Sequence, residues 1–181
     1  MRHICTLMAA VLLAFALSGC AALPFTDEGR AQNLLDGLSQ FYRTEASVRT
    51  GEMDLRVRID RPDPLNLTVE LLYPERLAGF TYTLGEGMVG LSYRGLAFHL
   101  DPFGATRTSP LPRAAGALSA LLIPDAHRPL PTLQNGVWQL ADEFDGESVL
   151  LYLNEESGVP TKLLLVRSGV ELVFENFAFL P

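Results

Sequence analysis

Lysine is almost missing from this chain, and cysteine is scarce. Of the 14 basic residues, 13 are arginine and the other is Lys162; only two cysteines occur in 181 residues. Two cysteines build no disulfide framework. Positive charge is outweighed, with 14 Lys and Arg against 21 Asp and Glu and a net charge of −7. That balance excludes a nucleic-acid binder working through a basic surface. Charged residues are 19% and apolar residues 48%, a composition that can bury a core and is not that of a disordered chain. Histidine stands at positions 3, 99 and 127 with no HExxH and no paired cysteines, so a zinc site lacks ligands. No G-x-S-x-G elbow occurs, so a hydrolase triad has no anchor. Gly85 to Gly90 fits G-x-G-x-x-G, but strand residues follow where a dinucleotide loop must open a helix; it reads as a hairpin turn. The composition and motifs predict no catalytic residues, no metal and no non-covalent cofactor.

What is present begins with an address. Met1-Arg2-His3 is a basic start, and Ile4–Leu17 is a run of 14 uncharged residues. That is shorter than the ~20 residues a spanning helix needs, and it suits a signal-peptide core. Leu17-Ser18-Gly19-Cys20 has the form of a bacterial lipobox, in which the Cys20 thiol receives diacylglycerol. The expected organisation is a signal peptide over 1–19, a lipidated tether over 20–26 and one domain over 27–181. Cleavage would remove Arg2 and Cys5 and leave 13 bases against 21 acids, or −8. Two or more acyl chains hold a membrane far better than one. The protein is therefore expected outside the cytoplasm, tethered to the outer face of the cell membrane or, in a two-membrane cell, to the outer membrane.

From Asp27 to about Ser47, residues Ala31, Leu34, Leu35, Leu38, Phe41, Tyr42 and Ala46 recur at three and four. This predicts one amphipathic helix, capped by Thr26 with Asp27 and Glu28 at its positive end. After Gly51 the period becomes two. Met53–Asp60 and Leu65–Tyr73 alternate apolar and polar, which predicts strands with one wet face. Leu77–Leu84, Met88–Tyr93 and Leu96–Leu100 follow as short strands joined by tight turns. Residues 101–136 hold six of the twelve prolines, with a short helix over Arg113–Ile123. They read as a crossing segment or lid. Val137–Phe144, Ser148–Asn154, Thr161–Arg167 and Val170–Phe179 complete about nine strands. Strands 149–153, 163–166 and 172–174 are apolar without alternation and need cover on both faces. Asp142, Glu143, Asp145 and Glu147 read as an acidic cluster solvating a hairpin. The expected fold class is α+β: a curved, incomplete antiparallel β-barrel whose concave face is plugged by the N-terminal helix.

The lipobox, the amphipathic helix, Pro74-Glu75-Arg76-Leu77-Ala78-Gly79-Phe80, Gly158-Val159-Pro160-Thr161-Lys162-Leu163 and Val173-Phe174-Glu175-Asn176-Phe177 together resemble the lipoprotein-carrier (LolA/LolB-like) superfamily over residues 27–179. More narrowly, the chain is similar to small clostridial lipoproteins of that superfamily, including the germination lipoprotein group. The resemblance implies a half-open barrel with an apolar cavity, which binds acyl chains in carrier members, whereas germination members hold a partner enzyme. The residues expected to line such a cavity are Leu34, Leu38 and Phe41 on the helix, with Leu55, Val57, Leu67, Val69, Phe80, Tyr82 and Trp138 on strands. The expected partners are a membrane, through the anchor, and an acyl chain, a lipoprotein or an apolar element of an envelope protein. A structural adaptor using the outer strand face is the alternative.

Overall fold

A computed structural model describes residues 27–180 except 52, 64, 86–87, 102–103, 105–108 and 123–127. The expected signal peptide, the lipobox with Cys20, the tether and His127 lie outside the described residues. Two compact units divide the chain, Met1–Arg30 and Ala31–Pro181. The described part of the first is the opening turn of helix α1 (Asp27–Leu38), where Asp27 and Glu28 complement the helix dipole.

The second unit is built on one antiparallel sheet. Its strands are β1 (Tyr42–Thr50), β2 (Met53–Arg61), β3 (Leu67–Tyr73), β4 (Thr81–Gly85), β5 (Met88–Tyr93), β6 (Leu96–Leu100), β7 (Thr132–Gln134), β8 (Val137–Phe144), β9 (Glu147–Asn154), β10 (Pro160–Leu165) and β11 (Val170–Phe179). Their order is β6-β5-β4-β3-β2-β1-β11-β10-β9-β8-β7, so β6 and β7 are free edges and the sheet does not close. Helix α2 (Pro110–Leu122) lies in the segment that joins those two edges.

The sheet curls around α2. At 1.5 Å per residue the helix is about 20 Å long. It approaches β3 and β4 on one side and β8, β10 and β11 on the other. Strands β4 and β8 are seven spacings apart, or ~34 Å in a flat sheet. So short a rod meets both groups only when they fold toward each other. The burial of α2 agrees, since Leu111, Ala114, Ala115, Ala117, Leu118, Leu121 and Leu122 are all closed off from solvent. Each buried leucine contributes roughly 2 kcal/mol.

The curved, open α+β sheet is the architecture expected, with four differences in detail. The long helix predicted over 27–47 ends at Leu38, and its second half is β1. Tyr42, Thr44, Ala46, Val48 and Thr50 are buried, alternating with more open residues, and β-branched Thr and Val favour that pleated setting. Gly51, at φ 57°, makes the β1–β2 turn rather than a change of element type. Strand β7, three residues long, was not expected, and with β1 it raises nine strands to eleven. The strand expected from Leu77 begins at Thr81, after a 3₁₀ turn over Glu75–Leu77. Last, the interior plug is α2, not the N-terminal helix. Helix α1 contributes Ala31 and Leu38 to the core, with Leu34 and Leu35 packed against it.

Candidate functional site: the inner face of the sheet

Cross-strand register assembles the inner face from alternate residues. Phe98 faces Leu91, Leu91 faces Tyr82, Tyr82 faces Val69 and Val69 faces Ile59. Across the seam, Ala46 faces both Val57 and Phe174. On the far side Leu172, Leu163, Leu151 and Leu140 run in one row. The result is an apolar wall running from edge to edge, and such rows are the unit of sheet stabilisation.

This wall is covered unevenly. Under α2 the side chains of Val57, Val69, Leu140, Leu151 and Leu163 are fully buried. Toward β6 the described residues give less cover. Phe80, Tyr82, Leu91 and Tyr93 are half-buried, and on β6 Leu96 is 60% and Phe98 52% exposed. Phe80 and Tyr93 stack with centroids 3.9 Å apart, which gives this margin a flat aromatic floor.

The expected lining residues divide accordingly. Leu38, Val57, Leu67, Val69 and Trp138 lie within the packed core. Leu34, Leu55, Phe80 and Tyr82 are partly buried around it. Phe41 is 37% exposed, in the link between α1 and β1. Among the described residues they are thus divided between the packed core and its margin. Most of them meet α2 or each other, and Phe80 and Tyr82 stand at the open margin. Leu91, Tyr93, Leu96 and Phe98 belong to that margin too. Their alternation in β5 and β6 could have marked them, since they share the parity of Phe80's stacking partner.

Two ion-pair pins that sequence reasoning missed hold the plug. Arg113 in α2 places Nε 3.1 Å from Glu147 Oε2 and Nη2 3.9 Å from Asp145 Oδ2. Glu147 is 1% exposed and also accepts the Ser168 amide at 2.5 Å. Burial pushes its carboxyl up, but the Ser168 amide and hydroxyl, Arg113 and the Arg167 amide together hold it below the usual carboxylate range. Beyond the other end of α2, Arg128 donates to the carbonyls of Ala120, at 2.6 Å, and Leu121. Its Nε also meets Asp142 Oδ2 at 3.3 Å. It thereby satisfies carbonyls at a helix end that has no basic residue of its own. The acidic hairpin is therefore only partly a solvated turn: Asp142, Asp145 and Glu147 all face arginines of the 110–128 segment. Parity was the available signal, because Glu147 shares the strand face of Val149 and Leu151.

At the opposite end of the strands Arg61 is buried, 3.4 Å from the Leu38 carbonyl. Burial lowers its guanidinium pKa, with Tyr42 and Asp63 opposing. Burial raises the Tyr42 phenol, with Arg61 opposing.

The outer face is different. Over β1–β3 and β11 it carries ion pairs: Arg56 with Glu45 (2.8 Å) and Glu175 (3.4 Å), and Arg58 with Glu45 (3.3 Å) and Glu70 (3.1 Å). Such exposed pairs contribute little to stability. Over β9–β11 it is mixed: Leu150, Tyr152 and Leu164 are half-buried and Val173 is exposed, beside the Lys162–Glu171 ion pair at 4.0 Å and with the Lys162 ammonium 4.8 Å over the Tyr152 ring. The doubly apolar strands thus receive cover from α2 on one face only. His99 lines an outer-face cleft of about 320 Å³ with Asn66, Ser92 and Gly90. Among the described residues no group of three or more His, Cys, Asp or Glu side chains could hold a metal ion. No helix of the described residues is long and apolar enough to cross a membrane.

No family model matches the chain, and no curated protein matches it. Solved structures do. An uncharacterized conserved protein from Thermus thermophilus is similar with a TM-score of 0.51 at 18% identity, over 83% of this chain and 88% of that one. A LolA superfamily protein from Nitrosomonas europaea is similar at 0.44 and 12%, over 83% and 94%. The Pseudomonas aeruginosa MucA/MucB complex includes a chain similar at 0.41 and 14%, over 84% and 57%. At these identities the likeness is one of fold, and the half-barrel that the sequence resemblance implied is the fold observed.

Proposed function

We propose that this protein is a lipid-anchored, extracytoplasmic binding module without catalytic chemistry, and that its ligand is an acyl chain, free or carried on a lipoprotein. One observation carries the reading: the apolar inner wall extends past its plug, leaving Phe80, Tyr82, Leu91, Tyr93, Leu96 and Phe98 partly open at the β6 side. A contiguous apolar surface left uncovered marks a binding site. An acyl chain fits it because the wall offers area and aromatic faces with few polar groups to orient a head group. The chain would enter at this margin and advance by displacing α2, exchanging one apolar contact for another. Diacylglycerol on Cys20 would keep the module beside its source of ligand.

Extraction and lipid mass spectrometry of the protein purified from native membranes test the reading. Acyl chains beyond those on Cys20 are expected, and Leu91→Glu, which places a charge on the wall, should lower their amount about tenfold, by a cost of ~1.4 kcal/mol or more. Protein that carries no such lipid, in wild type and variant alike, would overturn it. A second reading rests on the apolar side chains of the outer face of β9–β11 and on Val166, just past β10 and 51% exposed: an adaptor holding an envelope protein there. Lipid-free protein co-purifying with one stoichiometric partner, released by Val166→Lys, would favour it.

A further inference from the structure

The two edges of the sheet are not alike. Strand β7 is three residues long and follows Pro129 and Pro131, both devices that blunt an edge. Strand β6 is Leu96-Ala97-Phe98-His99-Leu100, with no proline, no fixed charge and no register shift against β5. Four of its five residues are exposed. An apolar, regular edge of this kind is a template for another strand.

Register identifies which groups it offers. The Arg94-Gly95 turn sets Tyr93 opposite Leu96, and a two-residue turn makes that pair a hydrogen-bonded one. Bonding alternates along an antiparallel ladder, so Phe98 and Leu100 also bond inward to β5. Ala97 and His99 therefore turn their N–H and C=O groups to the open edge. A second copy can meet this pattern about a two-fold axis through Phe98. Ala97 then opposes His99 of the second copy in a hydrogen-bonded pair, twice, giving four bonds. Phe98 opposes Phe98 in a close non-bonded pair, and Leu96 opposes Leu100. Charge agrees with shape. Arg94 precedes the strand and Asp101 follows it, both exposed, so antiparallel pairing brings each arginine toward the aspartate of the other copy.

We infer that β6 is a homodimer edge: two copies pair their β6 strands antiparallel, centred on Phe98, and join their inner walls into one apolar surface. Its area is small for a protein interface, so the affinity expected in solution is on the order of micromolar or weaker, and confinement of both copies to one membrane would strengthen it. The inference stands apart from the acyl-chain reading, since a dimer can form whether or not the wall holds lipid.

Disulfide trapping of the full chain in membranes tests it. Facing residues in a non-bonded pair have Cβ atoms about 4.5–5.5 Å apart, near the reach of a disulfide. Phe98→Cys is expected to give a reducible dimer at roughly ten times the yield of Leu65→Cys, an exposed position in the β2–β3 turn that takes no part in the β6 pairing. Adding Ala97→Pro should remove the dimer and leave the fold intact, because Ala97 gives no bond to β5 and edge prolines are tolerated there. Phe98→Lys supplies the same disruption without proline, and sedimentation of detergent-solubilised chain should then show monomer where wild type shows reversible dimer. Cross-linking of Phe98→Cys no greater than that of Leu65→Cys would overturn the inference, as would a Phe98→Cys dimer that survives Ala97→Pro. A wild-type chain that stays monomeric at all concentrations would overturn it equally, even if the edge accepted another protein's strand.

Discussion

Glu147 concentrates at one residue the tension between burial and charge that runs through this core. Its carboxylate is closed off from water, and it is kept ionised by Arg113, by the Ser168 amide and hydroxyl and by the Arg167 amide. Asp63 shows the milder case. It is half-buried, and its pKa is lowered mainly by the Asn66 side chain and the amides of Leu65 and Asn66, in the β2–β3 turn. Both groups titrate lower in the folded chain than in the unfolded one. Their contribution is therefore present above the unfolded carboxylate value and is lost as pH falls through the folded one. Glu147→Gln should destabilise the protein by about 3 kcal/mol, the low end for breaking a buried pair because Arg113 keeps some access to water. The variant should also lose part of the wild type's decline in stability below about pH 4.5. Urea denaturation at pH 7 and at pH 4 checks both. Equal pH slopes in the two proteins would show that Glu147 is not the titrating group.

Among the elements, β1 and α2 show what a one-dimensional pattern carries. Strands β2 and β3 were legible because one face is wet, and alternation is then unambiguous. The stretch through β1 was not, since Leu38, Phe41, Tyr42 and Ala46 satisfy helical spacing while Tyr42, Thr44, Ala46, Val48 and Thr50 satisfy alternation. The tie is broken by tertiary pairing, because β1 pairs with both β2 and β11 in the middle of the sheet, which local periodicity does not encode. The identity of the plug was hidden for a related reason. A helix buried on most sides and a lid helix have the same alanine- and leucine-rich composition, and only the curl of the sheet distinguishes them. The pins at Arg113 and Arg128 follow from that curl. Native-state hydrogen exchange separates the two assignments of residues 42–50. A central strand should exchange only by global opening, so amides of Tyr42–Thr50 are expected among the most protected in the chain, while those of α1 exchange by fraying. Fast exchange across 42–50 would contradict β1's central place.

At the scale of the whole molecule, the chain's charge and the proposed lipid anchor would pull in opposite directions. The chain is acidic, at −7, and the segment from Cys20 onward is expected to carry −8, so an untethered domain would be repelled by an anionic bilayer over about one Debye length, ~8 Å at physiological salt. Moving an acyl chain from a bilayer to an apolar protein wall exchanges like for like, at roughly 0.8 kcal/mol per methylene on both sides. The transfer itself therefore has little net drive, and its rate should be governed by how often the open margin near β6 meets the membrane. An anchor at Cys20 would remove that dependence, because encounter is then set by tether length and not by surface charge. The expected outcome follows directly. Cys20→Ser protein should take up a fluorescent acyl chain from anionic vesicles on the order of tenfold more slowly than from zwitterionic ones, with the gap closing as salt is raised. Lipidated protein inserted in the same vesicles should show almost no difference between the two surfaces. Stopped-flow uptake across a salt series measures both. Equal rates for Cys20→Ser on both surfaces at low salt would mean that the acidic faces point away from the bilayer at encounter, and that the tether serves retention alone.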